Sequence, residues 1–575
     1  MQRRRSPLAR WLALAVAVVL GVGLGPSAQA APPPDPDPVP TALGAERIVA
    51  DMQPGWNLGN TLDAVGADET AWGNPRVTPE LLRAVRAEGF RSIRIPVTWG
   101  QHDGGAPDHT IDPAVLDRVA EVVDLALDAG LTVLLNLHHD SWMWLNQYPT
   151  QPEAKDRFLA LWRQIADRFR DYPRTLLLES INEPQFAGVD DARAYELLND
   201  LNMAFVDEVR ASGGGNAQRV LVLPTLHTDA GQARLDALVD TLDELDDDNI
   251  AATFHYYGYW PFSVNVAGGY RFDDTARADM LGAFDRVKTS LVDRGVPVIL
   301  GEYGLLGFDR HTGTIEQGEK LRFFELFGWL ARTHDVTTMW WDNGQHLDRV
   351  AHTWRDPQLF DHIATSWTTR SGTATTDQLF VRQGSPADQT VTLEPHGHEF
   401  TGVWLDGRRL KRSDDYTLDG DQLTLHGSLL AALAGSGDYG VRAALEVGFS
   451  RGVPWTVQVI RADAPVLSAA ATADPADGFA IPTRFNGDRL ATMEAVYPDG
   501  AFAGPHSWTS YKEFDAAFAP DEAGDRILLR PAFLAELAQP STVLLTFHFW
   551  SGERVAYTLE VGEGGVVGTP GHPAA

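Results

Sequence analysis

The chain of 575 residues contains no cysteine. Without a thiol it can have no cysteine nucleophile, no disulfide bond and no zinc site with cysteine ligands. Basic residues are also scarce, because 47 Lys and Arg stand against 78 Asp and Glu and give a formal net charge of −31. So acidic a protein repels phosphate backbones and anionic lipid headgroups. We therefore expect neither nucleic acid nor membrane as a partner, and neutral ligands remain.

The first 30 residues have the features of an export signal. Four arginines precede an apolar run at 11–24, and Ala28 and Ala30 supply the small side chains that a signal peptidase reads. A membrane anchor is the alternative, but the run is shorter than the roughly 20 residues that span a bilayer. We expect residues 1–30 to be cleaved near Ala30, leaving a secreted protein that begins with a Pro-rich linker at 31–44.

Short apolar runs then recur at intervals of about 30 to 47 residues, and most are followed by a helical pattern. Eight strand–helix units over roughly 310 residues predict an α/β fold of the (β/α)₈ TIM-barrel type. An open doubly wound sheet is the alternative, but no Gly-rich phosphate motif follows the first run. The predicted strands are 55–58, 92–97, 132–136, 176–180, 220–223, 251–254, 297–300 and 338–341.

The residues that end these runs carry the chemistry, because a TIM barrel gathers its active site at the carboxyl ends of its strands. Glu183 ends the fourth run and Glu302 ends the seventh. Two carboxylates facing each other across the barrel mouth are the arrangement that glycoside hydrolysis requires.

Seven motifs, in order and in register, resemble glycoside hydrolase family 5 over about residues 45–366. They are Gly55-Trp-Asn-Leu-Gly-Asn-Thr61, Ile93-Arg-Ile-Pro96, Asn136-Leu-His-His-Asp140, Asn182-Glu-Pro184, His255-Tyr-Tyr257, Gly301-Glu-Tyr-Gly304 and Trp340-Trp-Asp-Asn-Gly344. The first and last look most like subfamily 4. The resemblance implies a secreted, retaining endo-β-1,4-glucanase (cellulase) acting on cellulose-type and mixed-linkage glucans, with xyloglucan as a further candidate.

The resemblance also implies the catalytic roles. Glu183 would be the acid/base and Glu302 the nucleophile, in catalytic domain 45–367. Arg94 lies inside the second run, where a buried cation needs a carboxylate partner. We expect it to keep Glu302 ionised and oriented.

Further site residues follow from the same motifs. Tyr257 would donate a hydrogen bond to the nucleophile, and His138 and His255 lie where the family places partners of the sugar or of the catalytic carboxylates. Asn182 would hold the sugar 2-hydroxyl. Trp341 would offer an apolar face to the sugar ring, and Trp142 is expected to extend that platform.

Two further questions concern a metal site at the adjacent histidines and the roles of two asparagines. The adjacent His138 and His139 suggest a metal site, but neighbours on a strand point to opposite faces. We expect no metal and no cofactor, with His139 packed behind the site. Asn57 and Asn60 are either turn formers or sugar contacts.

After residue 367 the pattern changes from helical to alternating, which predicts β-sandwiches. Residues 374–463 resemble an immunoglobulin-like X2-type spacer, and 464–562 resemble a family 46 carbohydrate-binding module. Trp508 either contacts glycan or is buried, and the second module is expected to fold back onto the catalytic cleft. Residues 563–575 are predicted to be a disordered tail.

Two functional alternatives remain beside the glucanase. A hydrolase directed at xyloglucan or mannan would use the same catalytic residues with different loops. A catalytically silent glycan-binding protein on the same barrel need not keep both glutamates. In each case we expect a monomer with a polysaccharide as its partner.

Overall fold

The computed structural model of the protein describes residues 44–572 except 383 and 385. The predicted export signal and the linker up to residue 43 lie outside the described residues. In the described part of the chain, no helix combines the length and hydrophobicity that a membrane span requires.

Eight parallel strands close into a barrel in sequential order, which confirms the predicted fold. The strands are β1 Gly55–Asn57, β2 Ser92–Ile95, β3 Thr132–Asn136, β4 Leu176–Glu179, β5 Leu221–Pro224, β6 Ile250–Tyr256, β7 Val298–Tyr303 and β8 Thr337–Trp340. The helices of this part are α1 Ala45–Asp51, α2 Pro79–Ala87, α3 Pro113–Asp128, α4 Asp140–Met143, α5 Glu153–Phe169, α6 Asp191–Ala211, α7 Gln232–Leu245, α8 Trp260–Ser263, α9 Asp274–Ser290, α10 Gln317–Thr333 and α11 Pro357–Ser366.

Local sequence signals explain where the helices begin. At α3, the Asp112 side chain accepts a hydrogen bond from the backbone N–H of Ala114, and Pro113 occupies the first helical position. The helix α1 closes the amino-terminal end of the barrel, where Ile48 and Met52 join the buried cluster that includes Leu134 and Met339. The carboxyl ends of the strands lie at the opposite end of the barrel, where the candidate active site is found.

Two β-sandwiches follow the barrel, as predicted. The middle sandwich, residues 373–461, packs a four-stranded sheet on a five-stranded sheet. The short hairpin of β9 Leu347–Asp348 and β10 Thr353–Trp354 precedes this sandwich. The elements of the sandwich are β11 Thr373–Ala374, β12 Gln378–Val381, β13 Gln389–Glu394, β14 Phe400–Leu405, β15 Arg408–Arg409, β16 Tyr416–Asp419, β17 Gln422–Leu425, α12 Gly427–Ala434, β18 Gly440–Phe449 and β19 Trp455–Arg461.

The carboxyl-terminal sandwich, residues 466–570, has the same combination of sheets. Its elements are β20 Val466–Leu467, β21 Ala470–Thr472, β22 Phe479–Arg484, β23 Leu490–Val496, β24 Phe518–Asp521, β25 Arg526–Leu529, α13 Pro531–Ala535, β26 Ser541–Phe549, β27 Arg554–Gly562 and β28 Gly565–Pro570.

The predicted tail at 563–575 is wrong for the residues of β28. This strand pairs with β27 on one side and β21 on the other, and Val566 is buried in the sandwich core. Gly565 has a φ of 109°, which suits the tight turn out of β27. The Gly-rich composition of this segment suggested disorder. The sequence did not reveal its pairing with β21, because β21 is distant along the chain.

Both sandwiches contact the barrel. Glu394 of the middle sandwich accepts hydrogen bonds from Arg277 at 2.7 Å and from Arg322 at 3.3 Å, and Thr373 donates to it at 2.8 Å. Burial raises the pKa of Glu394, but the charges of Arg322 and Arg277 outweigh it and lower that pKa to about 2. The contact therefore favours the ionised carboxylate.

We expect Glu394→Gln to destabilise the protein at neutral pH by about 2 to 3 kcal/mol, since the stabilisation scales with the lowered pKa. A lowered pKa stabilises the fold above the ordinary glutamate pKa and loses that effect as pH falls toward 2. Thermal unfolding should therefore separate the variant from the wild type at pH 7, and the gap should narrow below about pH 4.5. A gap that is equal at all pH values would contradict the charge argument, and Glu560→Gln, at an exposed position of β27, is the matched control.

Candidate active site

The two glutamates singled out in the sequence face each other at the carboxyl ends of β4 and β7. A carboxylate oxygen of Glu183 and one of Glu302 lie within 4.8 Å of each other. Their surroundings differ, because the Glu183 side chain is 45% exposed and that of Glu302 only 5%. The pair therefore consists of one carboxylate open to the cleft and one held in the wall.

Local backbone irregularities aim both side chains. Glu183 has a φ of 41°, in the left-handed region where a non-glycine residue is strained, typically by about 1 to 3 kcal/mol. Between β6 and β7 the pairing shifts so that Phe254 faces Leu300 but His255 faces Glu302, which leaves Gly301 as the extra residue of a β-bulge. A Cβ at Gly301 would lie 2.9 Å from Thr253 Oγ1, so glycine suits this crowded bulge.

Arg94 is fully buried inside the barrel and ties three strands together. Its guanidinium donates to Glu179 from Nε at 2.7 Å and from Nη2 at 3.0 Å, and to Glu302 from Nη1 at 2.6 Å. It also donates to Asn57 Oδ1 and Asn182 Oδ1. Burial lowers the pKa of Arg94, but the charges of the two carboxylates outweigh it and raise that pKa above its usual range. Arg94 is thus a fixed positive charge beneath Glu302.

Tyr257 and His255 supply the other donors around the pair. The Tyr257 hydroxyl donates to Glu302 Oε2 at 2.7 Å, and burial together with the charge of Glu302 raises its pKa well above the usual value. His255 Nδ1 lies 3.0 Å from Glu183 Oε1 and 3.5 Å from Glu302 Oε2. Among the described residues nothing hydrogen-bonds the buried Nε2 of His255, so we assign the proton to Nδ1, facing the carboxylates.

The pKa of Glu183 reflects opposing influences. Burial raises it, whereas the hydrogen bond from His255 and the charge of Arg94 lower it, and the lowering prevails. The groups that surround Glu183 thus favour its ionised form.

The neighbouring histidines both line the cleft, so the expectation that His139 packs behind the site is wrong. Strand β3 ends at Asn136, and the alternation of a strand does not extend to residues 138 and 139. His139 Nδ1 accepts from the indole N–H of Trp142 at 3.0 Å, and His138 Nδ1 lies 3.1 Å from the amide nitrogen of Asn136. Both Nδ1 atoms are therefore acceptors, which puts the protons on Nε2.

These protonated Nε2 atoms bear on the alternative of a metal site. Asp63, His138 and His139 each have a potential ligand atom within 4.8 Å of the others. However, Asp63 already accepts from the backbone N–H groups of Asn60 and Thr61, at 3.0 and 2.7 Å. A metal would have to displace the Nε2 protons and break the contacts that fix the rings. Metal-free catalysis accordingly stays our prediction.

Aromatic side chains form the walls of the cleft, which has a volume of about 370 Å³. Trp341 follows β8 and stacks on His138 with ring planes 9° apart, while Trp72 and Trp142 are exposed on either side of His139. Flat apolar faces beside polar groups suit the ring of a neutral sugar.

The structure distinguishes the two roles considered for Asn57 and Asn60, a turn former or a sugar contact. Asn57 is fully buried, and its amide donates to the carbonyls of Gly301 and Met339 at 2.9 and 3.0 Å. It braces the bulge and the Arg94 cluster. Asn60, with a φ of 53°, both forms a turn and lines the cleft.

All eight sequence-predicted site residues converge on this cleft or the cluster beneath it, but sequence reasoning missed several others. Glu179 pairs with Arg94, and a glutamate at the end of an apolar run was a usable signal for it. Trp72 and Asp309 also line the cleft. They lie on long loops outside the recurrent motifs, where no local pattern marks them.

The carboxyl-terminal sandwich contacts the loops that follow β6 and β7. The backbone N–H of Phe514 donates to the Asn265 carbonyl at 3.1 Å, and Arg310 forms an ion pair with Glu513. Trp508 is 55% exposed, and its ring centroid lies 6.0 Å from that of Trp260, which is 39% exposed. The carboxyl-terminal sandwich thus packs against the loops that follow β6 and β7, and its contribution to the cleft stays a prediction.

Comparison with known proteins gives matches along most of the chain. The model of the cellulase family (glycosyl hydrolase family 5) matches residues 58–347, that of carbohydrate binding domain X2 matches 373–459, and that of the carbohydrate binding domain CBM46 matches 463–569. Endoglucanase B of Paenibacillus lautus is 49% identical over 527 residues, which are 91% of this chain and 93% of that protein.

Solved structures show the same three-part architecture. The full-length tri-modular endo-β-1,4-glucanase B of Bacillus halodurans aligns with a TM-score of 0.90 at 48% identity, covering 92% of this chain and all of that one. A tri-modular family 5, subfamily 4 endo-β-1,4-glucanase of Bacillus licheniformis, in complex with cellotetraose, aligns with a TM-score of 0.77 at 32% identity over 92% of this chain and all of that one.

We expect Arg94→Met to destabilise the protein by about 3 to 5 kcal/mol and to abolish hydrolysis, because it leaves two buried carboxylates without a cation. Arg94→Lys retains the charge but cannot form the paired contacts of a guanidinium, so it should lose less stability. Denaturant unfolding and a glucan assay measure the two effects. Wild-type stability in Arg94→Met would contradict the role of this cluster.

Proposed function

The chain belongs to family 5 of the glycosyl hydrolases, the cellulase family, and we propose that it is a retaining endo-β-1,4-glucanase. The observation that carries this proposal is the separation of Glu183 and Glu302, which have oxygens within 4.8 Å of each other. Retaining glycosidases keep their carboxyl groups about 5 to 5.5 Å apart, whereas inverting enzymes leave room for a water molecule. The relatives with endoglucanase names support the same activity.

The proposed reaction is a double displacement. Glu302 attacks the anomeric carbon while Glu183 protonates the departing glycosidic oxygen, which gives a covalent glycosyl–enzyme. Glu183 then takes a proton from water, and that water releases the sugar with its configuration retained. Arg94 and Tyr257 hold Glu302 ionised and oriented before the attack, through the hydrogen bonds to its two oxygens.

The remaining groups of the cleft would bind the sugar. Asn182 directs its Oδ1 to Arg94, which leaves its amide for the 2-hydroxyl. His138 presents Nε2–H to the cleft as a donor, and His255 donates to the carboxylates. Trp341, stacked on His138, offers a face to the ring in the subsite where bond cleavage occurs.

We propose β-1,4-linked glucans as the substrate class, including cellulose-type and mixed-linkage chains and, as a further candidate, xyloglucan. The cellotetraose bound by the Bacillus licheniformis relative supports a cellulose-type chain. The alternatives directed at xyloglucan or mannan are separated by comparing hydrolysis of carboxymethyl-cellulose, barley glucan, xyloglucan and mannan. A preference for mannan would overturn the proposed substrate class.

The proposal also covers the location of the protein, its modules and its oligomeric state. We propose that the chain is exported, that its modules are 45–367, 374–463 and a third that runs from 464 to the end of β28 at Pro570, and that it acts as a monomer. A polysaccharide too large to enter a cell supports export. The glycan-binding alternative without catalysis is disfavoured because both glutamates are present and paired with Arg94 and His255.

Two variants test the catalytic roles. We expect Glu302→Gln to abolish hydrolysis of barley glucan while largely retaining glycan binding, because the amide keeps the shape but cannot attack. We expect Glu183→Ala to lose much more activity on polysaccharide than on an aryl cellobioside, whose good leaving group needs little protonation. Hydrolysis rates on both substrates, with binding measured separately, check these outcomes.

Near-wild-type activity of Glu302→Gln would refute the nucleophile assignment. An equal loss of Glu183→Ala on both substrates would indicate a different acid. Glu80→Gln, on the exposed surface of α2, is the matched control and should leave both rates unchanged.

The aromatic pair of Trp260 and Trp508 supports a further contribution of the carboxyl-terminal sandwich to the cleft. We expect Trp508→Ala to raise KM for polymeric glucans by about 3- to 10-fold, because a sugar ring loses an aromatic face. The kinetics on an aryl cellobioside should not change. Tyr439→Ala, which removes an exposed aromatic ring of the middle sandwich in a different groove, is the matched control. An unchanged KM for Trp508→Ala would contradict this contribution.

A further inference from the structure

A histidine accompanies the two exposed tryptophans at the contact between the barrel and the carboxyl-terminal sandwich. Trp260 begins α8, and Trp508 lies in a loop of the sandwich, with ring centroids 6.0 Å apart. The ring of His506 lies 5.6 Å from that of Trp260 and 6.1 Å from that of Trp508. The three rings therefore contact one another across the boundary of two modules.

The helix that carries Trp260 is fixed to the wall of the cleft. The hydroxyl of Ser263, at the end of α8, donates to the Tyr257 carbonyl and accepts from the backbone N–H of Leu306 at 2.7 Å. Tyr257 and Leu306 both line the cleft. Trp260 thus has a fixed place next to the candidate active site.

The loop that carries Trp508 is closed by a buried lysine. Lys512 Nζ donates to the carbonyls of Pro505 and Thr509, each at 2.9 Å. The backbone N–H of Thr509 donates in turn to the His506 carbonyl at 3.0 Å. His506 has a φ of 58°, in the left-handed region that costs a non-glycine residue free energy. These hydrogen bonds maintain the conformation that holds the His506 ring against both tryptophans.

His506 is also linked to the barrel through two side chains. Its Nε2 lies 2.7 Å from Glu513 Oε2, and because a carboxylate accepts hydrogen bonds, Nε2 carries the proton and donates. Glu513 is nearly buried, and its other oxygen forms the ion pair with Arg310, in the loop after β7. A carboxylate removed from water requires such partners. A chain of contacts therefore runs from the barrel loop to the three rings.

We propose that His506 is a positioning residue for glucan binding. Anchored through Glu513 to Arg310, it holds Trp508 beside Trp260 as one surface for the part of the chain beyond the catalytic pair. The proposal rests on the proposed contribution of Trp508 to substrate binding and names the contacts that maintain it. A side chain that is ordered beforehand loses less freedom when a sugar ring binds, so the anchor favours polymers that reach this surface.

The test compares two variants of His506 on barley glucan and on an aryl cellobioside. His506→Phe retains a ring but has no donor for Glu513, so we expect KM for barley glucan to rise about 2- to 5-fold. His506→Gln retains an N–H donor, so its KM should stay near that of the wild type. Both side chains meet the same left-handed backbone, and the difference between them therefore reports the hydrogen bond.

The kinetics on the aryl cellobioside should not change in either variant. An equal rise of KM in His506→Gln and His506→Phe would overturn the proposal, because the anchoring hydrogen bond would then have no effect. An equal loss of activity on both substrates would also overturn it, since that result would indicate a general structural effect.

The barrel end of the chain of contacts gives an independent test. Arg310 is 48% exposed, so Arg310→Met should fold normally while it removes the charge partner of Glu513. We expect KM for barley glucan to rise in the same direction. The rise should not add to that of His506→Phe, and neither change should raise KM further in the Trp508→Ala background. Full additivity in either combination would overturn the proposal.

Two comparisons keep the outcomes distinct. His572→Phe makes the same change at an exposed histidine of the same sandwich and should leave KM unchanged; a rise equal to that of His506→Phe would overturn the proposal. An unchanged KM in Trp508→Ala would refute the proposed contribution of the sandwich and the role of His506 together. A raised KM in Trp508→Ala beside an unchanged KM in His506→Phe would refute the role of His506 alone.

Discussion

The site depends on one buried cation, the guanidinium of Arg94, and on the carboxylates that surround it. A charge in the interior of a barrel is stable only when its donors are all paired. Glu179 from β4 and Glu302 from β7 supply that pairing, with the oxygens of Asn57 and Asn182 as further acceptors. Glu302, the proposed nucleophile, is thus one of the partners that the buried cation requires, and the hydrogen bonds of Arg94 and Tyr257 fix its orientation.

Irregular backbone then turns a regular barrel into a site. An ideal β7 would place the residue after Leu300 opposite His255, but the bulge at Gly301 brings Glu302 there instead. Glu183 stands in a left-handed conformation immediately after Asn182. Both departures cost free energy locally, and the closed barrel with its buried core offsets that cost. The positions of Glu183 and Glu302 therefore depend on the closed eight-stranded barrel that supports them.

Much of this arrangement could be predicted from the sequence, because the relevant signals are local. The apolar runs with helical segments between them predict the barrel, and the residues that end the runs predict the catalytic pair. His139 was assigned to the wrong place because strand alternation was extended beyond Asn136, where β3 ends. The place of Asp309 in the cleft and the pairing of β28 with β21 depend on contacts between segments far apart in sequence, which no local pattern encodes.

The charge of the protein limits how it can capture a substrate. At a net charge of −31, with three carboxyl groups in the cleft, long-range attraction is directed at cations and contributes nothing to a neutral glucan. Capture must then rest on short-range contacts, namely the faces of Trp72, Trp142 and Trp341 and the hydrogen-bonding groups beside them. Because these contacts fall off within a few ångströms, a longer aromatic surface gives more places for a chain to bind. The contact of the carboxyl-terminal sandwich with the loops after β6 and β7 brings the exposed rings of Trp260 and Trp508 near each other, and we propose that they supply such an extension.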